Sequence, residues 1–115
     1  MIKRIGEHQR ACRAVQYGDF FESGGIVAED APKDIVVQTK MVLAELEEIL
    51  ALANLEKNNL TRIQIWLSDI NDFEGMNSVY DAWVKDFDKP ARATVESKLA
   101  GDQYLIEIQA FAYSG

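Results

Sequence analysis

The sequence places an arginine in a short segment that predicts a β-strand, at Arg92 within the run Pro90–Glu96. A guanidinium is always charged, and its planar fork of N–H donors matches the geometry of a carboxylate. Arg92 is therefore predicted to anchor a small carboxylic acid, provided that its strand faces a cleft. The alternative is a solvent-exposed strand arginine, which the residue type alone favours.

A second candidate for chemistry lies in the last predicted strand, residues 103–113, where Glu107 falls on the polar side. Arg92 and Glu107 would share one face of the sheet if their two strands pair as a hairpin. The arginine would then bind a substrate carboxylate while the glutamate positions a water or moves a proton. A plain cross-strand salt bridge between the two is the alternative interpretation.

Other familiar reactive motifs do not occur. Cys12 is the only cysteine and His8 the only histidine, so no zinc or redox-metal site is expected. A nucleophilic Cys12–His8 pair is a less favoured alternative. The chain contains neither a phosphate-binding glycine-rich loop with a lysine nor a nucleophile elbow. Its chemistry would therefore use positioning, hydrogen bonds and water, without a cofactor.

Composition narrows the class of protein. The 115 residues are expected to form one domain, 1–115, and the net charge of -7 opposes a nucleic-acid-binding surface. A single cysteine fits a reducing cytoplasm. No apolar run approaches the ~20 residues that span a bilayer, so neither a membrane nor a secretory segment is predicted.

The first half of the chain predicts three strands and a long helix. The first strand covers residues 1–7, and the next two form a hairpin that turns at Gly18. The helix is expected to start at a cap on Asp30, with Pro32 in its first turn, and to end near Asn54. Its apolar stripe consists of Ile35, Thr39, Val42, Leu46, Ile49 and Ala53.

The second half predicts a strand over 62–67, a helix from about Asp72 to Phe87, and two final strands, 91–98 and 103–113. Strict alternation in the first of these strands puts three aliphatic side chains toward the core, namely Ile63, Ile65 and Leu67. The second helix has a buried stripe of Phe73, Met76, Tyr80, Trp83 and Phe87.

The predicted order β-β-β-α-β-α-β-β describes a small α+β domain, in which two helices cover one face of a mixed sheet. Trp66 falls on the other face, away from the predicted core. This position indicates that the second face is also covered, for example by another subunit. A partly exposed tryptophan that shields its neighbours is the alternative.

Several stretches together resemble the Rid family, the YjgF-type or RutC-like reactive intermediate deaminases. Gly18, Asp19 and Gly25 fall at family-like spacings, and the resemblance covers most of the chain. In the segments Trp66–Ile70 and Tyr80–Val84, the amino-acid sequence is most similar to the YoaB-like branch of the family. The resembling stretches are Ile65–Phe73, Met76–Trp83, Pro90–Glu96 and Leu105–Ile108.

This resemblance implies a chorismate-mutase-like fold and a homotrimer with a cleft at each of its three subunit boundaries. It implies hydrolysis of reactive enamines and imines, such as 2-aminoacrylate, to 2-keto acids and ammonia. Arg92 would grip the substrate carboxylate and Glu107 would orient the attacking water. The substrate-binding neighbours would be Asn77, Thr94 and Gly25.

The chain also departs from the deaminase pattern, in which a tyrosine and a serine take the places of Ala11 and Gly24, and a cysteine often takes that of Thr94. These losses favour an alternative function, a non-catalytic module that binds or senses a small carboxylate such as a keto acid. Arg10 or Arg13 would favour a more acidic ligand if either entered the cleft. Ribonuclease activity, a label given to some family members, is opposed by the net charge.

Overall fold

A computed structural model describes all residues, 1–115, as a seven-stranded mixed sheet with two α-helices packed on one face. The α+β class and the helical layer agree with the prediction, and one short strand, β4, is additional. The strands are β1 (Ile2–Glu7), β2 (Cys12–Tyr17), β3 (Phe20–Ser23), β4 (Ile26–Val27), β5 (Leu60–Leu67), β6 (Ala91–Glu96) and β7 (Ile106–Tyr113). The helices are α1 (Ile35–Leu52) and α2 (Phe73–Val84).

The strand order is β1-β2-β3-β7-β5-β6, with β4 paired to β7 beyond the end of β3. Every pair is antiparallel except β5 and β6, which run parallel. The hairpin of β6 and β7 that would put Arg92 and Glu107 on one face therefore does not form, because β5 lies between the two strands. Helix α2 connects β5 to β6, and a strand–helix–strand crossover returns the second strand parallel to the first.

The core lies between the sheet and the two helices. Ile63, Ile65 and Leu67 of β5 are at most 1% exposed, which confirms the predicted alternation. Val42 and Leu46 of α1 are fully buried against them in the same apolar cluster. Burial of each such side chain stabilises the fold by roughly 1.5–3 kcal/mol.

Helix α1 starts later than the sequence indicated. The Asp34 carboxylate accepts a hydrogen bond from the Val37 N–H at 3.0 Å and caps the helix, whereas Asp30 has φ 56° and lies in the preceding turn. The predicted cap at Asp30 is wrong because Asp34 has the spacing that reaches the third helical N–H. Neither α1 nor α2 is long and apolar enough to cross a membrane.

The sheet face opposite the helices, called here the open face, carries large apolar side chains. Cross-strand partners share a face, and the register joins Ile2 to Tyr17, Tyr17 to Phe20, and Phe20 to Tyr113. These four side chains are 41–54% exposed. An exposed aromatic patch of this kind is typical of a protein–protein interface.

Candidate functional site

Arg92 projects from edge strand β6 toward helix α2, where three neighbours hold its guanidinium. Its Nη1 donates a hydrogen bond to Asn77 Oδ1 at 2.7 Å. The guanidinium carbon lies 4.7 Å from the centroid of the Tyr80 ring and 5.7 Å from that of Phe73, distances at which a cation is attracted to an aromatic face. The side chain is therefore half-buried and held in one orientation.

No carboxylate neutralises this guanidinium. The ion pairs of the chain join Arg13 to Glu45 and Glu48, and Lys57 to Glu47, but none includes Arg92. Asn77 is neutral, so its hydrogen bond orients the guanidinium without offsetting the charge. Because a guanidinium has five N–H donors, Arg92 retains a fork that can bind an anion.

Thr94 stands two residues along the same strand and faces the same side as Arg92. Its Oγ1 is buried and has no hydrogen-bond partner in the chain. Buried hydroxyl groups nearly always have a partner, so an unpaired one has room for a bond to a ligand or a water. The structure therefore brings Arg92, Asn77 and Thr94 together at the boundary of β6 and α2.

Glu107 lies in β7 and contacts the backbone of Gly25. The carboxylate occupies the space that a Cβ atom at residue 25 would take, so a larger residue there would displace the Glu107 side chain. Glu107 forms neither an ion pair nor a side-chain hydrogen bond within the chain, and desolvation by burial raises its pKa above the ordinary value. A half-buried carboxylate with a raised pKa is suited to accepting and returning a proton.

Arg92 and Glu107 lie on opposite faces of the sheet. The register places Arg92 beside Ile63, which points into the helical core, and Glu107 beside Trp66, which points to the open face. The common face that a hairpin would have given, and the alternative of a salt bridge between the two residues, therefore do not occur within a single copy of the chain. The cause is β5, which separates the two strands.

A hollow of about 350 Å³ lies between α1 and the segment from β2 to β4. Its apolar lining includes the buried Ile26 and Ile49, together with Val27 and the half-buried Cys12. Gly25, which the Glu107 carboxylate contacts, also lines it. We refer to this cavity as the hollow, and Glu107 itself does not line it.

The polar lining of the hollow comes from His8, Arg13, Glu29 and Glu45. Of the two arginines considered for an acidic ligand, Arg13 lines the hollow and pairs there with Glu48 at 3.2 Å and with Glu45 at 3.8 Å, whereas Arg10 does not line it. His8 Nδ1 accepts the Arg10 N–H at 3.4 Å, and no hydrogen bond joins His8 to Cys12.

Sequence reasoning missed two residues that support these groups. Tyr80 was expected only as part of the apolar stripe of α2, yet its ring also stacks on Arg92. Gln38 is fully buried and makes three hydrogen bonds, to the backbone of Pro32, Gln103 and Leu105, which tie α1 to the loop before β7. Gln38 lies one turn from Ile35 and from Val42 of the predicted stripe, and a glutamine at that spacing was the available signal for a buried polar clamp.

Comparison with known proteins finds a family and several relatives that match most of this chain. The family described as Endoribonuclease L-PSP matches residues 1–114. A RutC family protein of Haemophilus ducreyi is 32% identical over 108 residues, 94% of this chain and 92% of that protein. The RutC family protein YoaB of Escherichia coli is 35% identical over 86 residues, 75% of each chain.

A solved structure matches the whole chain as well. The crystal structure of NMB1025, a YjgF family member from Neisseria meningitidis, is 33% identical, and the match covers 100% of this chain and 96% of that one with a TM-score of 0.95. The resemblance noted in the sequence is thus confirmed, and with it the fold. The chain belongs to the YjgF/RutC family, also called the Rid family.

Proposed function

We propose that this protein hydrolyses reactive enamines and imines derived from amino acids, such as 2-aminoacrylate, to 2-keto acids and ammonia. The observation that carries the proposal is the Arg92 guanidinium, which is held in a fixed orientation and lacks a counter-charge. An anion with two parallel oxygens fits its fork, and a carboxylate is such an anion. Membership of the Rid family is consistent with this reaction.

The proposed reaction consumes one water. The enamine first tautomerises to the imine, and the water oxygen then attacks the carbon of the C=N bond. Glu107 accepts a proton from the attacking water and passes it to the imine nitrogen, which gives a carbinolamine. Glu107 then takes the proton of the carbinolamine hydroxyl and passes it to the amino group, and the C–N bond breaks as the C=O bond forms, so that ammonia leaves. Arg92 holds the substrate carboxylate throughout, and Asn77 keeps the guanidinium in place.

We infer that the site forms between copies of the chain, as a homotrimer of this family would provide. Arg92 and Glu107 face opposite sides of their own sheet, so one copy cannot present both to one small molecule. The open face supplies an apolar surface through which copies can associate. Arg92 of one copy would then meet Glu107 and Gly25 of its neighbour.

The direct test measures ammonia released from freshly generated 2-aminoacrylate by the assembled protein. Arg92→Ala should lower kcat/KM by roughly 10–100-fold, because a charge-assisted contact worth about 1.5–3 kcal/mol is lost. Arg10→Ala is the matched control, since Arg10 is exposed and lines none of the cavities of the chain. Undetectable ammonia release by the wild type, or equal rates for the two variants, would overturn the proposal.

One observation favours a second function, binding of a keto acid without turnover. No side-chain donor approaches Glu107 from the Gly24–Gly25 segment, so a reacting carbon there is oriented by fewer groups. A protein that binds pyruvate through Arg92, yet releases no ammonia above the spontaneous rate, would have this binding function. Ribonuclease activity remains disfavoured, because a chain with net charge -7 repels a polyanion.

A further inference from the structure

We propose that Tyr80 is a positioning residue for substrate binding, because its ring face holds the Arg92 guanidinium and leaves the N–H donors free for the substrate carboxylate. This inference rests on the proposed function, since it assigns the orientation of the carboxylate anchor to a second side chain. A buried residue of helix α2 thereby sets substrate affinity through Arg92.

The place of Arg92 in the sheet shows why its side chain needs a support. Strand β6 lies at the edge of the sheet and pairs with β5 alone. The side chain of Arg92 therefore has a neighbouring strand on one side only, and no ion pair holds it. Ordering a long arginine side chain costs conformational entropy, so other contacts must fix it before a substrate arrives.

The contacts of the guanidinium identify Tyr80 as its nearest aromatic support. The guanidinium carbon lies 4.7 Å from the Tyr80 ring centroid and 5.7 Å from that of Phe73, both within the ~6 Å at which a cation is attracted to a ring face. Tyr80 is 6% exposed, so little water competes for its ring. Asn77 and Met76 contact Nη1 alone, and Nε and Nη2 donate to no atom of the chain.

The Tyr80 ring is itself fixed by its neighbours. It packs against Trp83, three residues further along α2, with ring centroids 5.9 Å apart. Trp83 packs edge-on against Phe87 at 5.0 Å, and its Nε1 donates to Glu47 of α1 at 3.3 Å. The ring that supports Arg92 therefore has little freedom to move.

A ring face suits this task better than a carboxylate would. A carboxylate partner would neutralise the guanidinium and accept the N–H donors that bind an anion. An aromatic ring attracts the cation through its quadrupole and leaves the donors at the edge of the guanidinium unused. The substrate carboxylate consequently meets an ordered, charged fork and displaces no ion-pair partner.

The experiment changes the electron density of the ring and keeps its shape. Phenylalanine and its 4-fluoro, 3,5-difluoro and 3,4,5-trifluoro derivatives are placed at residue 80, because each fluorine weakens the negative potential of the ring face. The same fluorinated series at Phe21 is the matched control, since Phe21 is equally buried and no cation lies over its ring. The assembled protein is assayed for kcat and KM of ammonia release from freshly generated 2-aminoacrylate, and for the Kd of pyruvate by calorimetry.

Tyr80→Phe should change KM and the pyruvate Kd less than about twofold, because the ring face remains. Fluorination at residue 80 should raise both constants stepwise, to about 3–10-fold for the trifluoro derivative, and change kcat less than about twofold. Fluorination at residue 21 should change none of them. Constant affinity across the series at residue 80, or equal changes in the two series, would overturn the inference.

A pair of ordinary substitutions separates the support of Arg92 from the stability of α2. Tyr80→Leu removes the ring and should raise KM and the pyruvate Kd about 3–10-fold. Val84→Ala also removes buried apolar surface from α2, but Val84 makes no contact with Arg92, so both constants should stay unchanged. An equal loss of affinity in Val84→Ala would mean that loosening of the helix causes the effect, and the role of Tyr80 would be wrong.

The two proposals fail in distinguishable ways. Pyruvate affinity that falls along the series at residue 80, without ammonia release by the wild type, would refute the hydrolysis and leave the role of Tyr80 in place. Ammonia release with a KM that is independent of the ring at residue 80 would refute the role of Tyr80 and leave the hydrolysis in place. Absence of both pyruvate binding and ammonia release would refute both.

Discussion

At the scale of single residues, Arg92 matters for its geometry as well as its charge. Its guanidinium stacks on Tyr80 and donates to Asn77, and the remaining donors of the fork stay free. A lysine would preserve the charge but neither the planar stacking nor the paired donors. A lysine at position 92 should therefore bind the substrate carboxylate less well than Arg92 does.

We predict that Arg92→Lys raises KM for the enamine about tenfold or more and changes kcat less, because the lost interaction binds the carboxylate in ground state and transition state alike. Steady-state ammonia release over a range of substrate concentrations measures both constants. Arg10→Lys serves as control and should change neither. A kcat loss larger than the KM increase would show that Arg92 acts on the reacting carbon instead.

The carboxyl group of Glu107 affects the unfolding free energy of the chain as well as the proposed chemistry. Desolvation raises the pKa of its carboxyl above the ordinary value of 4.5. Between the unfolded and the folded pKa, the folded state binds more protons than the unfolded state, so the unfolding free energy falls as pH rises through that window. Above the folded pKa the carboxylate is ionised in both states, and its desolvation lowers the unfolding free energy by the full amount.

Glu107→Gln should therefore increase the unfolding free energy at pH 7 by less than about 1 kcal/mol, and should leave it unchanged below pH ~4, where the wild-type carboxyl is protonated. Urea unfolding at both pH values tests this. The exposed Glu7→Gln should show no such pH-dependent difference. A wild type that is more stable than Glu107→Gln at pH 7 would show that an unidentified partner stabilises the ionised form.

At the scale of elements, the clamp made by Gln38 connects helix α1 to the loop that leads into β7. Its amide donates to the carbonyls of Pro32 and Gln103 at 2.9 Å each, and its Oε1 accepts from the Leu105 N–H at 2.8 Å. Leu105 precedes Glu107 by two residues. The clamp thereby positions the start of the strand that carries the candidate base.

Gln38→Leu should lower the unfolding free energy by about 2–4 kcal/mol, because buried backbone groups lose their partners. The neighbouring Thr39→Val is the control. Thr39 is equally buried, yet its hydroxyl only donates to Ile35 within the same helix, so its loss should cost less than about 1 kcal/mol. Denaturant titrations compare the two, and equal losses would argue against the clamp.

At the scale of the whole molecule, the opposite placement of Arg92 and Glu107 requires a site shared between copies. We predict that Arg92→Ala and Glu107→Gln, each strongly impaired alone, recover activity when the chains are unfolded, mixed and refolded together. In a random one-to-one trimer, about a quarter of the sites would combine an intact Arg92 with an intact Glu107.

Ammonia release by the mixed protein, normalised to the wild type, measures this recovery. A chain that carries both substitutions supplies the control, since mixing it with either single variant should restore nothing. Failure of the two single variants to complement each other in an assembled oligomer would place both residues in one copy and contradict the shared site.

The sequence alone determined the features that depend on neighbouring residues. Alternation in β5 predicted which of its side chains are buried, helical periodicity predicted the stripes of α1 and α2, and Gly18 predicted the hairpin turn. Arg92 and Glu107 were selected as candidate site residues because a charged side chain is unusual in a strand that is otherwise largely apolar. These signals are local, since a period of two or 3.6 residues can be read within one segment.

Only the tertiary structure decided how these segments meet. The order β7-β5-β6 put Arg92 and Glu107 on opposite faces, Gln38 found its partners some 65 residues away in the loop before β7, and the hollow formed where β2, β4 and α1 approach one another. Strand pairing and cavities depend on contacts between distant segments, which no local pattern encodes. The crossover through α2 was the one sequence signal for the parallel pair, because a helix between two strands allows the second to return in the same direction.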